Sequence, residues 1–237
     1  MSRQVSLGCI VLAVVFFSGC NTGDPASTER DAPQQYVLRE GLNNYSGTCD
    51  TMMNDGLPAT NYGLSNSMWS GYWGNSPDEE TTRSLLRFDL SLIPEDAEVV
   101  SATLRLVFNN VVAMASDYVI TLEIFEADRE WVETEATWQN ASGTVVWDTS
   151  GGDYSGWVGL MNIPRPGYGS GDAIQISLDT AVVQRWVSNP ADNRGMLFRN
   201  TSENTLDDSE KSYVVFYTKN FPTEAHRPRL TIEADLK

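Results

Sequence analysis

Two stretches of the sequence place aromatic side chains among the small and polar residues that form turns. Sugar rings present flat patches of C–H groups, which stack on exposed aromatic rings while Asp, Asn or Arg binds the hydroxyl groups. The aromatic residues of the first stretch, 56–81, lie among Asn, Ser and Gly, and those of the second lie near Asp148 and Asp153. The candidate carbohydrate-binding residues are Trp69, Tyr72, Trp73, Trp147, Tyr154 and Trp157. The alternative for each stretch is that its rings fold inward and cap a sheet.

The residue patterns of common hydrolases are absent from this sequence. His226 is the sole histidine, and there is no His-x-x-His pair, no paired cysteines and no glycine-flanked serine elbow. Glycoside hydrolysis needs only two carboxylates at a suitable separation, and Glu130, Glu133 and Glu135 could supply them. Acidic chains always offer such pairs, so we predict no catalytic residues and no enzyme activity.

A structural calcium ion is compatible with the acidic composition, because Ca²⁺ prefers oxygen ligands. No EF-hand pattern occurs, so a site would have to combine distant segments. Asp50 is the candidate metal ligand, and the alternative for it is an ordinary turn aspartate.

The N-terminus has the pattern of an export signal. Arg3 precedes an apolar run at 7–17 that is too short to span a membrane. The run ends in Phe-Ser-Gly-Cys, which resembles the lipobox of bacterial lipoproteins and implies a signal peptide at 1–20 and lipidation of Cys20. Residues 21–35 lack large aliphatic side chains and predict a flexible tether. We therefore expect an exported lipoprotein, anchored through Cys20 on the cell surface or outer membrane, or otherwise a secreted protein.

Charge and cysteine content limit the partners of the chain. The formal net charge is −16, which repels nucleic acid phosphates and argues against nucleic acid as a partner. An acidic polysaccharide would need local Arg or Lys residues or a bridging cation. Because Cys9 and Cys20 belong to the signal segment, Cys49 has no internal disulfide partner, and we expect it to be inert.

Period-two alternation predicts strands through most of residues 36–237, which we expect to form one domain. The clearest pair lies within 83–108, where Leu86 and Phe88, and then Leu104 and Leu106, alternate with polar residues around a Pro-containing loop at 91–100. The two Gly-rich stretches, 56–81 and 151–171, are predicted to be loops. Further strands are predicted at 36–39, 48–53, 118–126, 145–147, 173–178, 195–200, 212–218 and 229–233.

One helix interrupts this pattern near 180–188, where Asp179 is a capping residue and Val183 and Trp186 have helical spacing. Many short strands with one helix predict an all-β fold, an antiparallel β-sandwich of the jelly-roll type. Trp131, Trp138 and Trp186 are expected to seal its core.

The order of several short motifs resembles the DNRLRE domain family, which overlaps carbohydrate-binding module family 96. These motifs include Asn61-Tyr62-Gly63, Leu85-Leu86-Arg87-Phe88-Asp89-Leu90, Trp131 with Glu133 and Thr137-Trp138, Val183-Gln184-Arg185-Trp186 and Arg227-Pro228. The resemblance covers about residues 48–233 and implies an exported jelly-roll domain, in a family of which some members bind a polysaccharide. Together with the aromatic stretches, it predicts a non-catalytic carbohydrate-binding module. The alternatives are a structural envelope or adhesion module with a protein partner and, third, a glycan-cleaving enzyme.

Overall fold

The computed structural model describes residues 32–74, 79–113, 118–203 and 211–237. Within these residues there are eleven β-strands and one α-helix. The strands are β1 Gln34–Leu38, β2 Thr48–Asn54, β3 Ser67–Trp73, β4 Glu80–Phe88, β5 Glu98–Val112, β6 Val119–Ala127, β7 Tyr154–Pro164, β8 Ala173–Ser177, β9 Met196–Asn200, β10 Lys211–Tyr217 and β11 Arg229–Asp235. The helix is α1, Thr180–Ser188, and short 3₁₀ turns lie at Leu42–Asn44, Pro190–Asp192 and Glu224–His226.

All described strand pairings are antiparallel. Strands β1, β11, β8 and the first half of β5 form sheet A, in which β5 lies between β11 and β8. The second half of β5 continues into sheet B, which runs through β10, β3, β4, β9, β6 and β7, with β2 paired to β4. A register shift opposite Phe216 lies where β5 passes from one sheet to the other. A bulge of this kind bends a strand, so a single long strand serves both layers.

The alternating residues identified in the sequence fill the space between the sheets. Leu86, Phe88, Leu104 and Leu106 belong to one buried cluster, while the residues between them point outward. Full burial of each such side chain stabilises the fold by about 1.5–3 kcal/mol. The predicted all-β, antiparallel sandwich-like class with one short helix is confirmed.

Helix α1 has the predicted bounds and the predicted cap. The Asp179 carboxylate accepts hydrogen bonds from the N–H groups of Ala181 and Val182 at 2.8 and 3.2 Å. Such a cap contributes about 1 kcal/mol. The apolar face of the helix, which includes Val183 and Trp186, is buried against the core.

Both stretches predicted to be loops contain a strand. Strand β3 lies within 56–81, and β7 occupies 154–164 of the second stretch. Their turn-forming composition hides real alternation: in β3, Met68, Ser70 and Tyr72 are buried, whereas Trp69 and Trp73 lie on the other face. Conversely, the strand predicted at 145–147 is reduced to an isolated bridge between Asn140 and Val146.

Residues 128–153 fold over the outer face of sheet B and form a second, smaller core. Trp131 and Trp147 are buried there against Leu85 and Leu197, and Trp138 packs against them while partly exposed. The prediction that Trp131 and Trp186 belong to the core is confirmed, and Trp138 lies at its margin. The same segment supplies most of the residues that line a cleft between the end of β6 and the start of β7.

The predicted signal peptide at 1–20, its lipidation site Cys20 and most of the predicted tether lie outside the described residues, so these stay predictions. Strand β1 begins at Gln34, two residues before the predicted domain boundary. Among the described residues no helix has the length and apolar character needed to cross a membrane. Cys49 is a free, half-buried thiol on β2.

Candidate functional site

A cleft of about 860 Å³ opens where β6 ends and β7 begins. Its lining is charged and polar, with one aromatic ring. The lining residues are Asp128, Arg129, Glu130, Asp148, Thr149, Gly152, Asp153, Tyr154 and Arg194. Four carboxylates and two guanidinium groups give this lining a net negative charge, so it disfavours an anionic ligand.

Asp153 organises the wall of this cleft. Its carboxylate accepts hydrogen bonds from the N–H groups of Asp148 and Thr149 at 3.0 and 2.9 Å and from Arg129 Nε at 2.7 Å. Burial opposes ionisation of this carboxyl, but the N–H donors and Arg129 outweigh burial and lower the pKa of Asp153. Arg129 also pairs with Asp148 at 2.6 Å. The Asp148 side chain nevertheless remains mostly exposed to solvent.

The turn that leads into β7 depends on two glycines. Gly151 and Gly152 have φ angles of 90° and 101°, which favour glycine. A Cβ on Gly151 would press against the Trp138 ring, and one on Gly152 would press against the Leu197 side chain. At these two glycines the backbone therefore lies too close to the second core to leave room for a side chain.

An aromatic row leads from the cleft onto the sheet surface. The Tyr154 ring contacts the Phe125 ring with centroids 4.9 Å apart, and Phe125 pairs across the strands with Trp157. Trp157 is 52% exposed, a high value for so large an apolar side chain. A polar cleft beside an exposed indole provides both kinds of contact that a sugar requires, hydrogen bonds and a flat apolar surface.

The Tyr154 ring is held from behind by Arg83. The Arg83 guanidinium lies 5.5 Å from the centroid of Tyr154 and 5.3 Å from that of Trp138. It pairs with Glu203, whose side chain is fully buried, at 2.8 Å, and donates to Gly151 O at 3.1 Å. One guanidinium thus fixes both the ring and the glycine turn of the cleft.

Residues 70–232 match the family model described as the disaggregatase related repeat domain. The chain belongs to this disaggregatase-related family. The match runs from within β3 to within β11 and includes every residue that lines the cleft. The predicted membership of the DNRLRE family or of carbohydrate-binding module family 96 is therefore wrong. No curated protein matches this repeat domain.

The second group of predicted sugar-binding residues divides between three environments in the repeat domain. Trp147 is only 5% exposed, and its Nε1 donates to Thr137 O at 2.9 Å, so it is a core residue. Tyr154 lines the cleft, and Trp157 lies on the exposed face of β7. Of the three residues, only Tyr154 lines the cleft, Trp157 is exposed on the strand that begins there, and Trp147 is not at the surface.

The first group lies on strand β3, in which Trp69 immediately precedes the matched residues. Tyr72 is 8% exposed and points inward, so it is not a surface residue. Trp69 and Trp73 share the outer face, where both rings contact Tyr213 with centroids 5.2 and 5.1 Å apart. Lys211 Nζ lies 3.8 Å from the centroid of Trp73. These half-buried rings therefore pack on Tyr213, Trp69 also packs against the main core, and neither ring lines the cleft.

Sequence reasoning missed the basic residues of the cleft, Arg129 and Arg194. Arg129 is adjacent to a tryptophan motif, and Arg194 precedes β9. Arg129 pairs with Asp153, and Arg194 belongs to the same lining, only because β6, β7 and β9 are neighbours in sheet B. No local pattern in the sequence records that neighbourhood.

Asp50, the candidate metal ligand, is a buried residue of β2. Its Oδ2 accepts from the N–H of Lys219 at 2.6 Å, its own N–H donates to Glu133 Oε1, and Oδ1 is buried without a described partner. Burial raises the pKa of Asp50 to about 7. The Lys219 ammonium pairs with Glu133 at 2.6 Å, so a positive charge already occupies these surroundings and they do not suit a cation.

Among the described residues no group of three or more His, Cys, Asp or Glu side chains is placed to bind a metal. Glu133 and Lys219 instead cover the free edge of β2, which protects an edge strand from pairing with another chain. Calcium binding elsewhere in the chain stays a prediction.

Proposed function

We propose that this repeat domain binds a neutral polysaccharide, with sugar hydroxyls in the cleft and a sugar ring stacked on Trp157. The observation that carries this proposal is a polar cleft lined by Tyr154, whose ring contacts Phe125, the cross-strand partner of an indole that is 52% exposed. The negative lining favours neutral over acidic sugars. Binding without catalysis is part of the proposal.

The roles of the cleft residues follow from their contacts. The carboxylates of Asp148 and Glu130, which are 82% and 63% exposed as side chains, can accept hydrogen bonds from hydroxyl groups. Arg129 and Asp153 hold each other, so the wall is preorganised and little ordering entropy is lost on binding. Tyr154 offers a ring edge at the mouth of the cleft.

A retention screen of the unaltered chain against neutral polysaccharides in affinity gels tests the proposal. We expect at least one polysaccharide to retard the chain and Trp157→Ala to lose most of that retardation. The matched control is Trp73→Ala, the same truncation on β3, which should bind normally. Retardation lost in Trp73→Ala but kept in Trp157→Ala would move the site to β3 and contradict the proposal.

The second candidate, a module that binds a protein partner, is favoured by Leu160, which is 42% exposed near Trp157 on the same strand. Cleft variants separate the two functions, because a protein partner would rest on the apolar strand surface rather than on cleft carboxylates. Asp148→Asn should weaken glycan retention and leave protein binding unchanged. Release of reducing sugar ends in the same screen would contradict the non-catalytic part of the proposal.

A further inference from the structure

The outer face of sheet A carries a second polar groove that shares no lining residue with the cleft. Its volume is about 360 Å³. Hydroxyl, amide and charged side chains alternate with the buried residues of four neighbouring strands. The lining residues are Gln35, Val37, Ser101, Thr103, Gln175, Arg229, Thr231 and Glu233.

Arg229 lines one end of this groove and has two arginine neighbours. Arg229 and Arg105 are direct partners across β11 and β5, and Arg39 follows β1, the next strand. Directly opposed like charges destabilise an antiparallel pair. Burial and the neighbouring guanidinium groups of Arg229 and Arg39 lower the pKa of Arg105.

Internal partners do not balance this cluster. Arg39 pairs with Glu224 at 2.7 Å, and Arg105 donates to Ala225 O at 3.1 Å. Within the described part of the chain, neither Arg105 nor Arg229 forms an ion pair with a carboxylate. The Nε atoms of Arg39 and Arg229 are buried without a described hydrogen-bond partner. Unpaired buried donors are costly, so the positive charge of this cluster is poorly compensated within the described residues.

The acidic composition of the chain makes a cluster of arginines unusual. The chain carries 32 acidic and only 16 basic residues, so three neighbouring arginines do not follow from composition. A guanidinium binds a planar or tetrahedral oxyanion through two parallel hydrogen bonds, and the hydroxyls of Thr103 and Thr231 can donate further bonds. The groove, the unpaired donors and the pairing of like charges all favour an oxyanion as the ligand.

We propose that Arg105 and Arg229, with the hydroxyls of the groove, bind an oxyanion, a carboxylate or sulfate group carried by an extended ligand. Glu233 lies at the other end of the groove, where it accepts from Ser101 Oγ at 2.9 Å. The anion is therefore placed at the arginine end and uncharged hydroxyls at the other. This site does not rest on the cleft function, since the two surfaces share no lining residue.

Three forms of one polymer test the proposal with the full chain: dextran, carboxymethyl dextran and dextran sulfate, each immobilised for affinity measurement. We expect binding to a charged dextran and none to dextran itself, and the charged form that binds identifies carboxylate or sulfate. Nonspecific electrostatic binding would not produce this result, because a chain of net charge −16 repels polyanions. Absence of binding to both charged forms would overturn the proposal.

Variants locate the binding. Arg229→Gln and Arg105→Gln should each lose about 10-fold or more in affinity, the size expected for a charge-assisted hydrogen bond. Arg185→Gln on α1 makes the same change in net charge and should bind normally. Trp157→Ala should also bind normally, which separates failure of this site from failure of the cleft.

Thermal melting gives an independent readout. A purely structural arginine would lower the melting temperature when replaced, whereas removal of one member of a like-charge pair should leave it unchanged or raise it. Arg229→Lys keeps the charge but loses the planar fork, so its affinity should fall between those of the unaltered chain and Arg229→Gln. Equal affinities in Arg229→Gln, Arg105→Gln and Arg185→Gln would refute the assignment.

Discussion

The buried ion pair behind Tyr154 gives the sharpest prediction for stability. Glu203 has a fully buried side chain and accepts from Arg83 Nε and Nη2 at 3.1 and 2.8 Å, with Arg199 Nε at 3.6 Å. The Arg83 side chain is 11% exposed and lies over the rings of Trp138 and Tyr154. Glu203→Gln removes the negative charge while keeping the shape, and leaves the guanidinium buried without compensation.

The expected cost is about 3–5 kcal/mol, the range for breaking a buried pair by removing one partner. For a domain of this size, that corresponds to a fall of roughly 6–20 °C in melting temperature. Urea unfolding followed by tryptophan fluorescence measures the free energy directly. Glu130→Gln is the matched control: Glu130 pairs with Arg87, but its side chain is 63% exposed, so the cost should be about 0–1 kcal/mol.

A double replacement tests the reason for this loss. If the cost comes from an uncompensated charge, Arg83→Met combined with Glu203→Leu should recover much of the stability lost in Glu203→Gln, because apolar pairs often replace buried ion pairs without loss. Losses below about 1 kcal/mol in both Glu203→Gln and Glu130→Gln would refute the reasoning, since burial would then not distinguish the two pairs.

Two further predictions concern β2 and β3. Because folding raises the pKa of Asp50 from 3.8 to about 7, its contribution to stability is present at low pH and lost as pH rises towards 7. The stability of the unaltered chain relative to Asp50→Asn should therefore fall by up to roughly 4 kcal/mol over that interval and then level off, and a pH-independent difference in urea unfolding would contradict this. Gly71 has φ 142°, and a Cβ there would overlap the main-chain oxygen of Ser212. Gly71→Ala should cost more than about 2 kcal/mol by the same assay, whereas Gly143→Ala, with ordinary contacts only, should change stability by less than about 1 kcal/mol.

Periodicity in the sequence was enough to predict the elements whose two faces differ in polarity. Leu104 and Leu106 alternate with Thr103 and Arg105 in β5, and the Asp179 cap marks the start of α1. Strand β3 escaped prediction because its inward positions include a serine and its outward positions include two tryptophans and a glycine. The outward tryptophans are partly covered only because Tyr213 on the neighbouring strand β10 packs against them, which the sequence of β3 does not show.

The candidate site was only partly predictable for a similar reason. Nothing local distinguishes Trp147 from Trp157, yet the first is buried in the second core and the second remains exposed on β7. Arg105 and Arg229 become neighbours only through the register of β5 and β11. The pairing of strands that are distant in the sequence determines which residues lie together at the cleft and at the groove. Short sequence motifs do not contain this information.

The incorrect family resemblance also has a physical explanation. Its landmarks include Trp131, which is buried with Nε1 donating to Arg194 O, and Asn61, whose amide donates to the main-chain oxygens of Glu133 and Ala136. These residues meet demands of the fold, namely a sealed core and satisfied loop carbonyls. Short motifs of this kind indicate an architecture rather than a particular family.

The central claim, that the exposed indole beside the cleft binds sugar, is tested most directly by one affinity ratio. The affinity of the unaltered chain and of Trp157→Ala for the retained neutral polysaccharide should be measured by calorimetric titration, with melting temperatures recorded in parallel. We predict a loss of about 10-fold or more with an almost unchanged melting temperature, because Trp157 is half exposed and packs little. Equal affinities of the two proteins would contradict the claim.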